Sequence, residues 1–491
     1  MYLPRRLLAV SALVPLVATL SVGGGSFAAA APGTHVSPNT VSAAATVQWV
    51  LTTGDRSRLL TPQTPTTFGP VLPTYYSWSD ISVDDSTRYQ TVRGVGAAMT
   101  ESAATLIDGL PSAQRSQVLS DLFSRTTGAG ISVVRTPFGA TDFSLSDYTF
   151  DDMPWGRTDP GLTSFSVARD KLHLLPLLAA AHGINAGLAV VATPWSAPAW
   201  MKTNTNTHNG SLAAQYEDAY ARYLVDAVTA YRAAGAPVTS LTVTNEPESP
   251  QGWSPSMTMT AAQQAEFVGA HLRPALNSAG LSGVGVLGYD GNWSDPAYPT
   301  SEVTGPYAAS FAGTAFHCYS GDETAQATVA AAAPAKSIWT TECSGGAWAS
   351  DFATNLRWNA HHMLIGAFRN SSTASVFFNL ALNPQGGPTN GGCTNCRGVL
   401  TIDPVTHTVT RNVEYYLLAH VGRYVTPGAI RIGSTPANST GVQSVAFRNP
   451  DGSHVLVLYN EGNSGQPVTV LWNGQAARVQ IPAGAVETLR W

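Results

Sequence analysis

Eight short apolar runs recur along the chain, and this alternation with helical stretches limits the folds open to it. The runs cover residues 92–99, 131–136, 186–192, 238–243, 284–289, 314–319, 337–341 and 374–382. Most are apolar nearly throughout, as strands buried on both faces must be. Between them lie helical patterns at 112–124, 167–182, 212–234, 261–279 and 351–369, and Gly183, Gly235 and Gly280 supply stops. Only the stretch between the fifth and sixth runs is a poor helix candidate. A helix at 414–424 follows Arg411 and would close the set. Strand–helix repeats of this number predict a (β/α)8 barrel over residues 91–425. A doubly wound open sheet is the alternative. Gly94 and Gly96 lack the third glycine and the ribose-binding acid of a dinucleotide loop, which weakens it.

The flanks have a different rhythm. Residues 46–90 hold short alternating strands broken by Pro and Gly, and strands return at 442–447, 454–459, 468–472, 479–481 and 486–491. Asp451-Gly452 and Asn473-Gly474 are hairpin turns. Both flanks together predict one β-sandwich, residues 426–491 joined by the N-terminal strands. The first 31 residues read as an export signal: Arg5-Arg6, an apolar core at 7–20, then small residues around Ala28. Residues 32–45, rich in Ala, Ser, Thr and Pro, read as a loose leader. That apolar core is too short for a membrane anchor. A secreted monomer without a membrane anchor is expected.

Charged residues make up only 12% of the chain and the net charge is −5, which argues against a nucleic-acid partner. Four cysteines suit an oxidising compartment. Cys393 and Cys396 sit in a Gly- and Asn-rich loop with no second ligand pair for zinc, so a local disulfide is expected. Cys318 and Cys343 pair if the sixth and seventh strands are neighbours; two buried thiols are the alternative.

Active sites of such barrels lie at the C-terminal strand ends. There the chain places Arg135 and Asp142, then Trp195, then Asn245-Glu246, then Asp290, Asn292 and Trp293, then His317 and Tyr319, then Glu342, and finally Asn379. Two glutamates facing each other across the ring match the needs of glycosidic bond cleavage: a proton for the leaving oxygen and a carboxylate for the anomeric carbon. Asn245 supplies a neutral donor for a sugar hydroxyl. Glu246 is expected as acid/base, and Glu342 as a nucleophile kept ionised by a cation such as Arg135. Aromatic rings would stack on sugar faces. Bland readings compete at several positions: His317 as a core histidine, Asp142 as a turn residue, Trp200, Trp293 and Trp348 as packing, Glu101 and Glu248 as a helix start and a solvated loop. His361-His362 lies within a helical pattern without partner acids and reads as surface. The mechanism calls for no cofactor and no metal.

The motifs resemble glycoside hydrolase family 30, which includes glucosylceramidases and β-1,6-glucanases. The resemblance rests on the stretches 94–100, Arg135-Thr136-Pro137, 141–144, 193–202, Asn245-Glu246-Pro247, Thr341-Glu342-Cys343 and 379–388. It implies a barrel fused to a β-sandwich, a retaining mechanism, Glu246 as acid/base and Glu342 as nucleophile. It implies sugar contacts from Asp142, Trp195, Asn245, His317 and Tyr319. Phe378 stands where the glucosylceramidases carry Trp, the turn 289–293 is unlike theirs, and no Arg-rich strand-eight loop supports a glucuronoxylanase. The expected activity is therefore an endo-β-1,6-glucanase. A β-glucosidase or glucosylceramidase comes second and a β-1,6-galactanase third. A non-catalytic carbohydrate-binding protein is the rival of another class, disfavoured by the presence of both glutamates.

Overall fold

The computed structural model describes residues 44–71 and 80–491. The export signal and nearly all of the leader expected from the sequence lie outside the described residues. Eight parallel strands close into a barrel: β1 (Gly94–Ala98), β2 (Val133–Pro137), β3 (Ala189–Thr193), β4 (Val238–Leu241), β5 (Gly285–Asn292), β6 (Gly313–His317), β7 (Ser337–Glu342) and β8 (Ser372–Phe377). β8 pairs with β1 in parallel and completes the ring. Nearly every strand residue is buried, because side chains point alternately into the barrel and towards the helices. Val133, Val191, Leu287, Ala315, Trp339, Ala374 and Val376 form one packed cluster of strand residues. A packed interior leaves the strand ends as the place for a cleft.

The predicted helices form with shifted bounds, such as Glu217–Ala233 and Val413–Gly422. One expectation fails. The segment between β5 and β6 does carry a helix, Ala297–Thr304, despite Pro299 and its run of β-branched and hydroxyl residues. Tyr298 and Val303 bury against the core there, and that packing outweighs weak propensity.

The second layer is built from both flanks, as expected. Strand Thr46–Thr52 pairs antiparallel with Val486–Arg490, and Asp80–Thr91 lies between Ile430–Ser434 and Gln466–Trp472. At Asn473-Gly474 both residues have positive φ, 47° and 73°, as a tight hairpin turn requires. This sheet meets the barrel at His420 of Val413–Gly422. Its Nδ1 lies 2.9 Å from the Thr488 hydroxyl and its Nε2 2.8 Å from that of Thr52. Thr488 donates to the His420 carbonyl, so it must accept from Nδ1–H, and Thr52 donates to Nε2. A neutral imidazole satisfies every group at this seam. Among the described residues, no helix is long and apolar enough to cross a membrane.

Candidate active site

The site begins with a strained backbone. Glu246 follows β4 with φ of 43°, in the left-handed region that costs a non-glycine residue about 1 kcal/mol or more. Its N–H donates to the Asp290 carbonyl at 2.9 Å, and Asn245 N–H donates to that of Pro194 at 2.8 Å. Asp290 is itself left-handed, with φ of 68°, in a bulge where the β5–β6 register shifts. Bulges re-aim side chains, and this one turns the Asp290 carboxylate beneath the cleft.

Asp290 is the hub. Arg135 Nη2 donates to its Oδ2 at 2.9 Å, and His317 Nε2 lies 3.0 Å from its Oδ1. The hydroxyls of Thr242 and Thr341 donate to it at 2.9 and 2.7 Å. Both cations reach onward from this anchor. Arg135 Nη1 meets Glu342 Oε2 at 2.5 Å, its Nη2 meets Asn245 Oδ1 at 2.7 Å, and His317 Nδ1 lies 3.1 Å from Glu246 Oε1. Tyr319 OH donates to Glu342 Oε1 at 3.0 Å. Thus one buried aspartate orients both glutamates through two cations.

The electrostatics follow from burial and these pairs. Burial opposes the Asp290 charge, but Arg135 and His317 hold its carboxyl well below the usual carboxylate range. Burial likewise opposes a charged His317; Glu342 and the hydrogen bonds to Asp290 and Glu246 prevail and push it up to about 10. Glu342 moves above its ordinary value. Burial is the largest cause, and the charges of Glu246 and Asp290 add to it against His317 and Arg135. Arg135 makes the contact with Glu342 expected from the sequence, while burial and the neighbouring carboxylates pull that carboxyl the other way. Two cations face three carboxylates, so a single proton on the glutamate pair makes the cluster neutral.

Asp142, Trp195, Asn245, Glu246, Tyr319 and Glu342 line one cleft of about 310 Å³. Asp142 is pushed well above the carboxylate range by burial and by Glu342 and Glu246, and its buried Oδ1 has no partner. Arg135 stacks on Trp195 with 4.6 Å between guanidinium and ring centroid, and Trp195 stacks on Phe378. Of the expected sugar contacts, Arg135, His317 and Asn379 lie elsewhere: all three are buried beneath the cleft. Asn379 accepts from Thr100 at 2.7 Å, so these are positioning residues. Sequence reasoning missed the weight of Asp290. The available signal was an acid closing an apolar run. Trp293 is buried core, whereas Trp348 is exposed and lines the cleft.

Both disulfides form, Cys393–Cys396 and Cys318–Cys343. The first lines the cleft; the second joins the ends of the neighbouring strands β6 and β7. A second cavity of about 340 Å³ adjoins at Tyr319, Ser344 and Trp348 and runs on to Asn355 and Trp358.

Comparison with known proteins agrees with this geometry. The glycosyl hydrolase family 30 TIM-barrel domain matches residues 92–425, and the β-sandwich domain of the same family matches 428–489. An endo-1,6-beta-D-glucanase of Trichoderma harzianum is 32% identical over 84% of this chain and 86% of its own. The lysosomal acid glucosylceramidase of Mus musculus is 27% identical over 79% of each chain. A solved endo-beta1,6-glucanase superposes with a TM-score of 0.85 at 31% identity, covering 91% of this chain and 99% of the other. The chain belongs to glycosyl hydrolase family 30 and is a glycoside hydrolase.

Proposed function

We propose that the chain is a secreted endo-β-1,6-glucanase that cleaves with retention of anomeric configuration. The observation that carries the mechanism is the Glu246–Glu342 pair, set on a shared Asp290 anchor across an open cleft. Glu246 accepts from His317 through Oε1, so a proton on its other oxygen points at the leaving group. Glu342 attacks the anomeric carbon as Glu246 protonates the glycosidic oxygen; the C–O bond breaks and a glycosyl ester forms. Protonation of Glu246 also removes one of the charges that raise Glu342, which favours the ionised nucleophile beside Arg135. Ionised Glu246 then takes a proton from water, which attacks the anomeric carbon; the bond from that carbon to Glu342 breaks and the carboxylate is released. Asn245 is held by Arg135 through Oδ1, which leaves its NH2 for the 2-hydroxyl. Asp142, its carboxyl raised by burial and by both glutamates, serves the outer hydroxyls.

The substrate reading is supported by relatives with that activity in their names at 30–32% identity. It is also supported by the adjoining cavity with exposed Trp348 and Trp358, which suits a chain longer than one sugar. The N-terminal leader and two disulfides support export. The test incubates the full chain with linear β-1,6-glucan, β-1,6-galactan and an aryl β-glucoside. Early release of mixed oligosaccharides from the glucan is expected. Glucose release from the aryl glucoside with the polymer untouched would contradict endo action.

A further inference from the structure

Glu323, His361 and His362 come together outside the cleft. Glu323 follows β6 and leads into helix Thr324–Ala332; both histidines lie in the π-helical stretch Ala360–Gly366 before β8. Successive residues of an α-helix diverge by roughly 100°, and a π turn is wider. Here the two rings stand 4.5 Å apart. The Glu323 carboxylate is nearly buried between them, with Oε2 at 2.7 Å from His362 Nδ1 and Oε1 at 3.9 Å from His361 Nε2. Gly366 makes the room: a Cβ there would stand 2.5 Å from Glu323 Oε1. The reading of His361-His362 as a pair without acids is thereby corrected, since the acid arrives from a distant segment.

We propose that Glu323, His361 and His362 bind a divalent transition-metal ion of the zinc class, which fastens the β-sandwich to the barrel. One carboxylate oxygen and two imidazole nitrogens are a donor set zinc accepts, with a fourth position for water. One ligand atom from each residue lies within 4.8 Å of the others. Donors around a tetrahedral ion at about 2.1 Å stand roughly 3.4 Å apart, so gaps of up to 4.8 Å close by at most about 1.4 Å. Both histidines are part-exposed and can turn by that amount. The sandwich supplies the outer support. Glu461 Oε1 lies 3.9 Å from His361 Nδ1, and the side-chain amide of Gln443 stands 2.9 Å from that nitrogen. A carboxylate taking the far N–H of a metal-bound histidine fixes its ring. The ion takes no part in glycoside cleavage.

The test uses full-length protein stripped with EDTA and titrated by calorimetry with zinc chloride, magnesium chloride serving as control. Thermal unfolding is followed in parallel. One zinc per chain, a melting temperature that rises with zinc, and no response to magnesium are expected. Glu323→Gln and His362→Gln should weaken zinc binding at least tenfold, and Glu461→Gln by roughly 10–100-fold, with hydrolysis unchanged. His361→Gln, at a part-exposed position, serves if Glu323→Gln does not fold. Absence of zinc binding at 100-fold excess by wild type, or equal binding by wild type and the histidine variants, would overturn the proposal.

Discussion

His317 and His420 are equally buried, at 0% exposure, yet they take opposite charge states. In the site, Glu342, Asp290 and Glu246 draw a proton onto His317 and raise it to about 10. At the seam, His420 meets only hydroxyls, and burial with Arg423 lowers it to about 3. Burial alone would make both neutral. The difference teaches that the site is a charged network held together by mutual compensation, whereas the seam is a neutral hydrogen-bond joint. Each should fail in its own way.

The largest effect is expected from removing the hub. Asp290→Ala leaves Arg135 and His317 with one anion fewer in a buried place and should cost about 3–5 kcal/mol in urea unfolding. Imidazole NMR of Asp290→Asn should show His317 titrating lower than in wild type, towards the behaviour of His420. An unchanged His317 would break the comparison. Next comes Thr488→Val, which strips the acceptor from His420 Nδ1–H and should cost about 1–3 kcal/mol without altering hydrolysis. The pH dependence of stability follows at about 1.4 kcal/mol per unit. His420 binds its proton more weakly folded than unfolded, so acid favours the unfolded chain: stability falls as pH drops from about 6.5 towards 3. His317 runs the other way. Its contribution is whole below 6.5 and is lost as pH rises towards 10. His420→Gln should flatten the acid slope and leave the alkaline one. The smallest effect belongs to Tyr319→Phe, which removes one hydrogen bond to Glu342 and should lower kcat while leaving unfolding unchanged.

Much of the barrel was legible because strands buried on both faces write uninterrupted apolar runs, and glycine stops mark the helix ends. The helix Ala297–Thr304 was not, since tertiary packing rather than propensity forms it. Glu246 and Glu342 could be read because their chemistry needs only a strand end and a place across the ring. Asp290 could not be weighed, as its importance lies in Arg135 and His317, which arrive from other strands. Asn379 looked like a ligand contact because it lies on the eighth apolar run near its C-terminal end; burial against Thr100 is a property of the folded chain alone. The meeting of Glu323 with His361 and His362 was hidden for the same reason, whereas the pairing of Cys318 with Cys343 followed once the sixth and seventh strands were neighbours.

The division of labour between the two glutamates is tested most directly by azide rescue on an activated aryl β-glucoside. Azide added to Glu246→Ala should capture the glycosyl ester from the open face and yield the β-glycosyl azide. Azide added to Glu342→Gly should occupy the place of the lost carboxylate and yield the α-glycosyl azide. The opposite pairing of variant and anomer would contradict the account.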